Sequence, residues 1–381
     1  MKRFLILIAA FIFLSLPALA EERIDLSTNG KDQLYAYALP DGRTIFAGSA
    51  STKGNYQDSR ARLLCMNSDG TIAWDYLHPA KGTYSFGHVQ LLPDGTLGVI
   101  LKNSPNQDTE EVLIFKFSLD GQIIGEPISI YTDDILVSGV TEDCITYVVI
   151  PGDAQSYYRY FIDWEGNILF RLHSESTISG GFDMIPADDG VVLAGSDLGY
   201  PSPAKIVKLD LYGNVLWAKN LQPTLPEAHA DLSNSEALAD GGFVARLFER
   251  SESSGYGSNL FIVRFSHDGS ILWQQSLSDV YPKLRQVEDI IAYGDYIVVA
   301  VPSESYYGDK PYSYLWLDAQ TGEIVGTTEH MMTPGLTNYG GDFVVLDNGL
   351  WIKRDFRKNI ENDRMAELDS ADEVLVKVPE S

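Results

Sequence analysis

The stretch Leu209-Asp210-Leu211-Tyr212-Gly213-Asn214-Val215-Leu216-Trp217 decides the fold, because it recurs along the chain at intervals of about fifty residues. Each copy has an apolar run, a polar turn with a glycine, and a second apolar run. The glycines of the other copies are Gly70, Gly121, Gly166, Gly269 and Gly322. A repeat of this length indicates an array of similar supersecondary units rather than two or three unrelated domains.

Each copy predicts a β-hairpin, because an apolar run lies on either side of a turn that suits Asp-Gly or a related pair. A second hairpin alternates with the first along the chain. Its turns lie at residues 40–42, 93–95, 142–144, 188–190, 240–242, 293–295 and 347–349. Two hairpins per repeat predict four strands per unit, and four-stranded units at this spacing are typical of β-propeller blades.

The tail of the chain supplies a degenerate seventh copy of the first hairpin. Residues 368–375 align with residues 209–216 if Asp372 takes the place of the glycine. The sequence therefore predicts an all-β fold, a single propeller of seven four-stranded antiparallel blades, with six or eight blades as alternatives. The predicted blades span approximately residues 33–80, 86–130, 136–174, 182–222, 234–278, 287–330 and 340–378.

Large side chains that follow the glycines are predicted to pack between neighbouring sheets. On a strand, the second and fourth residues after the glycine share one face, which pairs Ile72 with Trp74 and Val215 with Trp217. Trp273 has the same position in a later copy. We interpret these tryptophans as core residues rather than as ligand contacts.

The stretch 209–217, together with Gly241 to Ala245 and Val191 to Ser196, resembles the repeats of secreted bacterial propellers in the quinoprotein-like (PQQ-like repeat) superfamily. The resemblance covers nearly the whole chain after residue 20, and it implies the propeller architecture. It implies no single activity, because this superfamily includes dehydrogenases, assembly scaffolds and surface proteins.

Residues 1–20 are predicted to be a secretory signal peptide. Lys2 and Arg3 precede an apolar run, and Ala18-Leu19-Ala20 forms a cleavage site of the Ala-x-Ala type. The run is shorter than the roughly 18 residues that span a bilayer, which disfavours the alternative of an uncleaved anchor. We expect an extracytoplasmic protein, in the medium, cell wall or periplasm, that has no membrane span after cleavage.

The chain is strongly acidic, and this property excludes one class of partner. Its formal net charge of −25 becomes −27 when Lys2 and Arg3 are removed with the signal peptide. Such a charge repels phosphate backbones, so we expect no binding to nucleic acid. We expect a monomer.

Motifs for catalysis, metal binding and cofactor binding are not found in the sequence. Cys65 and Cys144 lie in apolar runs of different repeats, and two buried thiols are favoured over a disulfide bridge. Quinoprotein dehydrogenases typically have adjacent cysteines and a tryptophan that stacks on the quinone beside a calcium site. The resemblance does not extend to these features, so we expect no catalytic residue, no metal and neither PQQ nor calcium as a cofactor.

Tyrosines recur in the segments between the second and third strands of five predicted blades. Such rings stack on sugars or anchor peptides at small entropic cost. The candidate ligand-binding residues are Tyr56, Tyr157, Tyr200, Tyr256, Tyr306 and Tyr307. The leading hypothesis is a secreted, non-enzymatic propeller that binds an extracellular glycan, peptide or protein. The alternatives are a propeller enzyme, either a quinoprotein-like dehydrogenase or a hydrolase, and a scaffold of a cell-envelope complex.

Overall fold

The fold is described from a computed structural model of the chain, and its regular secondary structure consists of β-strands throughout the described part. The structure describes residues 23–26, 30–52, 59–82, 84–106, 109–131, 135–149, 158–173, 182–196, 201–251, 258–281, 284, 286–301, 312–330, 336–339, 341–358 and 371–379. Within these ranges no helix is long and apolar enough to cross a membrane.

Six antiparallel sheets each consist of four strands that pair in the order in which they follow one another in the chain. In the first three sheets these are β2 (Gly30–Ala38), β3 (Thr44–Thr52), β4 (Arg60–Met66), β5 (Ile72–Leu77), β6 (Tyr84–Leu91), β7 (Leu97–Asn106), β8 (Thr109–Phe117), β9 (Ile128–Tyr131), β10 (Ile135–Val140), β11 (Ile145–Val149), β12 (Tyr158–Ile162) and β13 (Ile168–His173).

The next three sheets repeat this meander. Their strands are β14 (Phe182–Ala187), β15 (Gly190–Ser196), β16 (Ala204–Leu209), β17 (Val215–Leu221), β18 (Ala228–Ala237), β19 (Phe243–Ser251), β20 (Ser258–Phe265), β21 (Ile271–Ser276), β22 (Asp289–Tyr293), β23 (Tyr296–Val301), β24 (Tyr312–Asp318) and β25 (Ile324–His330). We number the blades 1 to 6 in chain order.

Blade 7 combines strands from the two ends of the chain. Its innermost strand is interrupted and forms β26 (Leu336–Tyr339) and β27 (Phe343–Leu346), which both pair with β28 (Gly349–Lys358). Beyond β28 lies β29 (Ala371–Lys377), which pairs with β1 (Arg23–Asp25) as the outermost strand. The predicted all-β fold of seven four-stranded blades is confirmed, and pairing of β1 with β29 closes the ring.

A buried arginine strengthens this closure. The guanidinium of Arg62, which is 2% exposed, donates a hydrogen bond of 2.8 Å to the carbonyl oxygen of Leu26, just after β1. The same group forms an ion pair of 2.9 Å with Asp75 on β5. Because a buried guanidinium needs partners for its donors, blade 1 holds the segment that follows β1 in place.

The first strands of the blades surround the axis of the propeller. They contact one another in a closed cycle: β2, β6, β10, β14, β18, β22, β27 and again β2. Because neighbouring strands are antiparallel, the second strands end and the third strands begin on one side of the ring, where the fourth strands also end, and we call this side the loop face. The turns between first and second strands and those between third and fourth strands lie on the other side, which we call the turn face.

The core lies between the blades, where a large side chain of one blade packs on the turn glycine of the next. A Cβ atom added to Gly121 would lie 2.6 Å from the ring of Trp74, so only glycine fits there. The same arrangement occurs at six consecutive junctions between blades. The pairs are Ile24–Gly70, Trp74–Gly121, Ile128–Gly166, Phe170–Gly213, Trp217–Gly269 and Trp273–Gly322. The indole N–H of Trp273 also donates to the carbonyl of Ala319 at 3.0 Å.

The expected pairing of Ile72 with Trp74 on one face is wrong. Met66 pairs with Ile72 but the preceding Cys65 pairs with Trp74, so Ala73 is an extra residue in the fourth strand. This β-bulge breaks the alternation of faces. As a result Ile72 is 53% exposed, and Val215 and Ile271, at the equivalent positions, are also about half exposed.

The expected turn at Asp372 is also wrong. Asp372 lies inside β29 and pairs with Phe356 of β28. The tail supplies only the third strand of blade 7, because β1 occupies the position that a fourth strand after a turn would take. The two cysteines, by contrast, are buried and free, as expected.

Candidate functional site

Three aspartates occupy equivalent positions on, or directly before, the innermost strands of different blades. Asp183, Asp289 and Asp342 each lie four residues before the residue that enters a two-residue turn, at Ala187, Tyr293 and Leu346. Because the spacing from equivalent turns is the same, the three residues lie at the same level along the axis of the propeller. We call these residues the junction aspartates.

Each junction aspartate accepts a hydrogen bond from a backbone N–H of the next blade. Asp183 accepts from Ser235 at 2.9 Å, and Asp289 accepts from Phe343 at 2.7 Å. Asp342 accepts from Ala36 at 3.1 Å, across the closure of the ring. A carboxylate that bonds a neighbouring main chain fixes the spacing of two innermost strands, because an unpaired buried N–H is costly.

Polar side chains connect two further junctions in the same way. In blade 5, the amide of Asn234 donates to the carbonyl oxygen of Glu288 in blade 6 at 3.1 Å. Asn234 has a φ of 51° and lies in a bulge of β18. The bulge changes the direction in which the side chains of that strand point. Between blades 1 and 2, the hydroxyl of Tyr37 donates to the carbonyl of Gly87.

The innermost strands of blades 5 to 7 bring together the carboxyl groups of Glu236, Asp289 and Asp342, which act on one another electrostatically. Burial raises the pKa of Asp289 well above its usual range, and the charges of Asp342 and Glu236 raise it further. The amides of Phe343 and Ile290 act in the opposite direction by donating hydrogen bonds. Burial alone raises the pKa of Glu236 to about 7. Glu236 therefore changes its charge near neutral pH.

A second polar cluster lies at the junction of blades 4 and 5, nearer the loop face. The hydroxyl of Ser202 lies 2.5 Å from Nδ1 of His229, and the N–H of Ala230 donates to the carbonyl of Ser202 at 2.9 Å. Two residues further along β18, Asp231 pairs with Arg246 at 3.4 Å. Burial raises the pKa of Asp231, while the charges of Arg246 and His229 counteract this effect.

The contact of a serine with a histidine meets one requirement for nucleophilic catalysis, since a base lies within hydrogen-bond reach. Ser202 is 5% exposed, however, so its hydroxyl does not face an open surface. The backbone bond to Ala230 joins the same two segments. The arrangement attaches the segment before β16 to the first strand of the next blade.

A carboxylate also fixes the connection between blades 4 and 5. Glu249 is buried and accepts hydrogen bonds from the backbone N–H and the hydroxyl of Thr224, at 2.9 and 2.7 Å. The amide of Asn259 donates to the same carboxylate at 3.4 Å. The strands that flank the segment 252–257 are thus tied to the connection that precedes their blade.

The candidate ligand-binding tyrosines of the sequence lie outside the described residues. These are Tyr56, Tyr157, Tyr200, Tyr256, Tyr306 and Tyr307. In the chain, all six fall between the second and third strands of their blades, and Tyr157 directly precedes β12. The turn glycines and Trp74, Trp217 and Trp273 lie at the blade junctions described above, away from the centre of the ring.

The acidic residues at the centre were missed by sequence reasoning. The repeat is most evident at its turn glycines, whereas Asp183, Asp289 and Asp342 precede the turn of the other hairpin of their blades. Their common spacing of four residues from a turn was the available signal. Glu236 has no such signal, because its environment depends on the bulge in β18. Among the described residues, no group of three or more His, Cys, Asp or Glu side chains is arranged to hold a metal ion.

Comparisons with known proteins found structures with a distant likeness but no relative in sequence. No protein-family model matches the chain, and no curated protein matches it in sequence. The β-propeller domain of the Trilobed protease from Pyrococcus furiosus is similar at 10% identity, with a TM-score of 0.48, over 87% of this chain and 99% of that one. A protein of unknown function from Dyadobacter fermentans is similar at 11% identity, with a TM-score of 0.49, over 94% and 98% of the two chains.

A quinohemoprotein alcohol dehydrogenase from Pseudomonas putida is also similar, at 9% identity and with a TM-score of 0.42, over 93% of this chain and 75% of that one. Likenesses at this level carry no argument about activity, since propellers host many unrelated functions. The assignment of a seven-bladed β-propeller rests on the sheet topology of the chain itself.

Proposed function

We propose that the protein is a non-enzymatic propeller that binds an extracellular glycan or peptide on its loop face. The observation that carries this proposal is the recurrence of tyrosine between the second and third strands of five blades. The strands that flank these segments end on one side of a closed ring. A rigid frame that presents several aromatic rings on one side suits a ligand that contacts many blades at once.

The frame is well suited to hold such segments in place. Glu249 anchors the connection before blade 5, and Ser202, two residues after the segment 197–200, contacts β18 through His229. Both anchors lie beside segments that contain candidate tyrosines. Preorganised binding loops lose less entropy when a ligand is bound, which favours affinity.

The proposal is tested by binding to glycan and peptide arrays. The wild-type protein is compared with a triple variant, Tyr200→Ala, Tyr256→Ala and Tyr306→Ala. Tyr212→Ala is the matched control, because Tyr212 is 83% exposed and lies in a turn on the opposite face. We expect specific spots that bind the wild type and the control but not the triple variant. Binding that is unchanged in the triple variant would contradict the proposal.

An enzymatic function is the alternative, and the contact between Ser202 and His229 is the observation that favours it. A fluorophosphonate probe reacts with activated serines and therefore distinguishes the two functions. We expect no labelling of the folded wild-type protein, because Ser202 is buried. Labelling that Ser202→Ala abolishes would support a hydrolase and count against the binding module.

A further inference from the structure

We propose that the outer edge of blade 7 is a strand-binding site, which takes an extended segment of a partner protein in place of β1. The segment would pair with β29 as an antiparallel strand and would insert two apolar side chains between blades 7 and 1. This site lies at the outer rim of the ring, and the inference does not depend on the proposed function. The chemistry of the partner follows from the contacts that β1 itself makes.

The strand β1 fills only part of the edge that β29 offers. It has three residues, whereas the outermost strands of the other blades have four to seven. On its inner side β29 pairs with β28 along its whole length, from Ala371 to Lys377. On its outer side, in the described part of the chain, it pairs with β1 at Val374, Leu375 and Val376. A longer strand would therefore pair with more of β29 than β1 does.

Two apolar side chains, those of Ile24 and Leu26, fill the space beside this edge. Because these residues are two apart on an extended chain, their side chains share one face. The Cδ1 atom of Ile24 lies 2.9 Å from the position of a Cβ atom added to Gly70, so the glycine makes room for it. Leu26 is 2% exposed and belongs to a core cluster that includes Trp351 and Leu375. A partner segment thus needs large apolar residues at alternate positions.

A buried donor binds the main chain of the inserted segment. The guanidinium of Arg62 donates to the carbonyl oxygen of Leu26 at 2.8 Å, and it also donates to the two carboxylate oxygens of Asp75 at 2.9 and 3.1 Å. Because Asp75 and Arg62 belong to the same blade, the donor keeps its orientation when β1 leaves. Main-chain contacts of this kind give affinity to any extended peptide, while the apolar positions give specificity.

The covalent tether of β1 sets the condition for exchange. A short segment joins Asp25, the end of β1, to Gly30, the start of β2, so β1 has a high effective concentration at the edge of blade 7. A free segment competes with β1 for one site, and its apparent affinity is reduced by the fraction of molecules in which the site is vacant. Exchange is therefore favoured by a segment that pairs with more of β29, or by a change that weakens β1.

The test is fluorescence anisotropy with the whole protein and two labelled synthetic peptides. The native peptide has the sequence of residues 21–29, and the extended peptide has Thr-Val-Thr in place of residues 27–29, so that strand-forming residues face 371–373. A scrambled peptide of the same composition is the control. We expect the extended peptide to bind on the order of tenfold more tightly than the native peptide, because it forms more main-chain hydrogen bonds. The scrambled peptide should not bind.

Variants of β1 test the competition. Ile24→Ala weakens the contact of β1 with its own ring and should raise the affinity for the extended peptide on the order of tenfold, because the site is vacant more often. Leu26→Ala tests the second apolar position in the same way. Ile168→Ala is the matched control, since Ile168 begins the outermost strand of blade 3 and is 61% exposed, and it should leave the affinity unchanged. Far-UV circular dichroism checks the fold of each variant.

Hydrogen–deuterium exchange locates the bound peptide. When the extended peptide is bound to Ile24→Ala, we expect slower exchange at residues 371–376, which gain a neighbouring strand. Exchange at residues 23–26 should become faster, because this segment leaves the edge of the sheet.

Several results would overturn the inference: no binding of the extended peptide to either β1 variant, equal binding of the scrambled peptide, or equal affinity in the wild type and both β1 variants. Equal affinity for the native and extended peptides, or slower exchange at the edge of another blade, would also overturn it. The triple tyrosine variant of the loop face should bind the extended peptide like the wild type. Failure of the loop-face proposal is thereby distinguished from failure of this one.

Discussion

The carboxylate of Asp342, in the last blade, accepts the backbone N–H of Ala36, in the first blade, at 3.1 Å. This bond joins the innermost strands of blades 7 and 1, and the pairing of β1 with β29 joins the two ends of the chain at the outer edge of blade 7. Asp183 and Asp289 make the same type of hydrogen bond to a backbone N–H of the next blade. The junction that closes the ring is therefore held by the same contact as two other junctions.

The junction aspartates should contribute measurably to stability. Asp183→Ala removes the acceptor for the backbone N–H and the hydroxyl of Ser235, and both donors lose a bond at a partly buried site. We expect the free energy of unfolding to fall by about 1–3 kcal/mol. Chemical denaturation measures this change. Asp120→Ala, at an exposed turn, is the control and should change stability by less than about 0.5 kcal/mol.

The packing of aromatic rings on turn glycines predicts a strong effect for Gly322→Ala. A Cβ atom there would lie 2.6 Å from the ring of Trp273, and the φ of 74° already disfavours a side chain. Gly95→Ala is the matched control, because Gly95 has a φ of 80° and no atom within 4 Å of such a Cβ.

We expect Gly95→Ala to cost about 1–2 kcal/mol from backbone strain alone. Gly322→Ala should cost a further 1–3 kcal/mol or so from steric overlap. Thermal and chemical denaturation of both variants gives the difference. Equal losses of stability would show that contact with Trp273 does not restrict position 322.

The raised pKa of Glu236 predicts how stability depends on pH. Between its ordinary value of 4.5 and its folded value of about 7, the folded protein holds a proton that the unfolded chain releases. The free energy of unfolding therefore falls as pH rises through this range and levels off above it. Glu236→Gln removes this contribution.

The difference in unfolding free energy between Glu236→Gln and the wild type should thus increase by up to about 3 kcal/mol from pH 4 to pH 8. Denaturation at several pH values measures it. Glu323→Gln, at an exposed position in a turn, is the control and should give a flat difference. A flat difference for Glu236→Gln as well would mean that this carboxyl group is not desolvated.

The sequence repeat predicted the blades because each glycine turn leaves a local signal. Gly213 and its counterparts have a positive φ and a close neighbour, so glycine recurs at this position of the repeat and is visible in the sequence. The three-residue strand β1 has no such signal, since its position depends on a partner at residues 374–376. The exposure of Ile72 was equally hidden, because alternation of faces assumes a strand without a bulge.

The centre of the ring depends on contacts between blades, which no repeat unit encodes by itself. Asp289 lies near Asp342 and Glu236 only because three innermost strands meet at the axis. The recurrence of tyrosine, by contrast, was visible in the sequence, and a ligand-binding role for the loop face remains a prediction.

Hydrogen–deuterium exchange with the glycan or peptide that binds best on the arrays tests the central claim most directly. We expect bound ligand to slow exchange in peptides that cover the segments 53–58, 197–200, 252–257 and 302–310, and to leave exchange in the turns 67–71 and 210–214 unchanged. Slower exchange confined to those turns, with none in the segments between second and third strands, would contradict it.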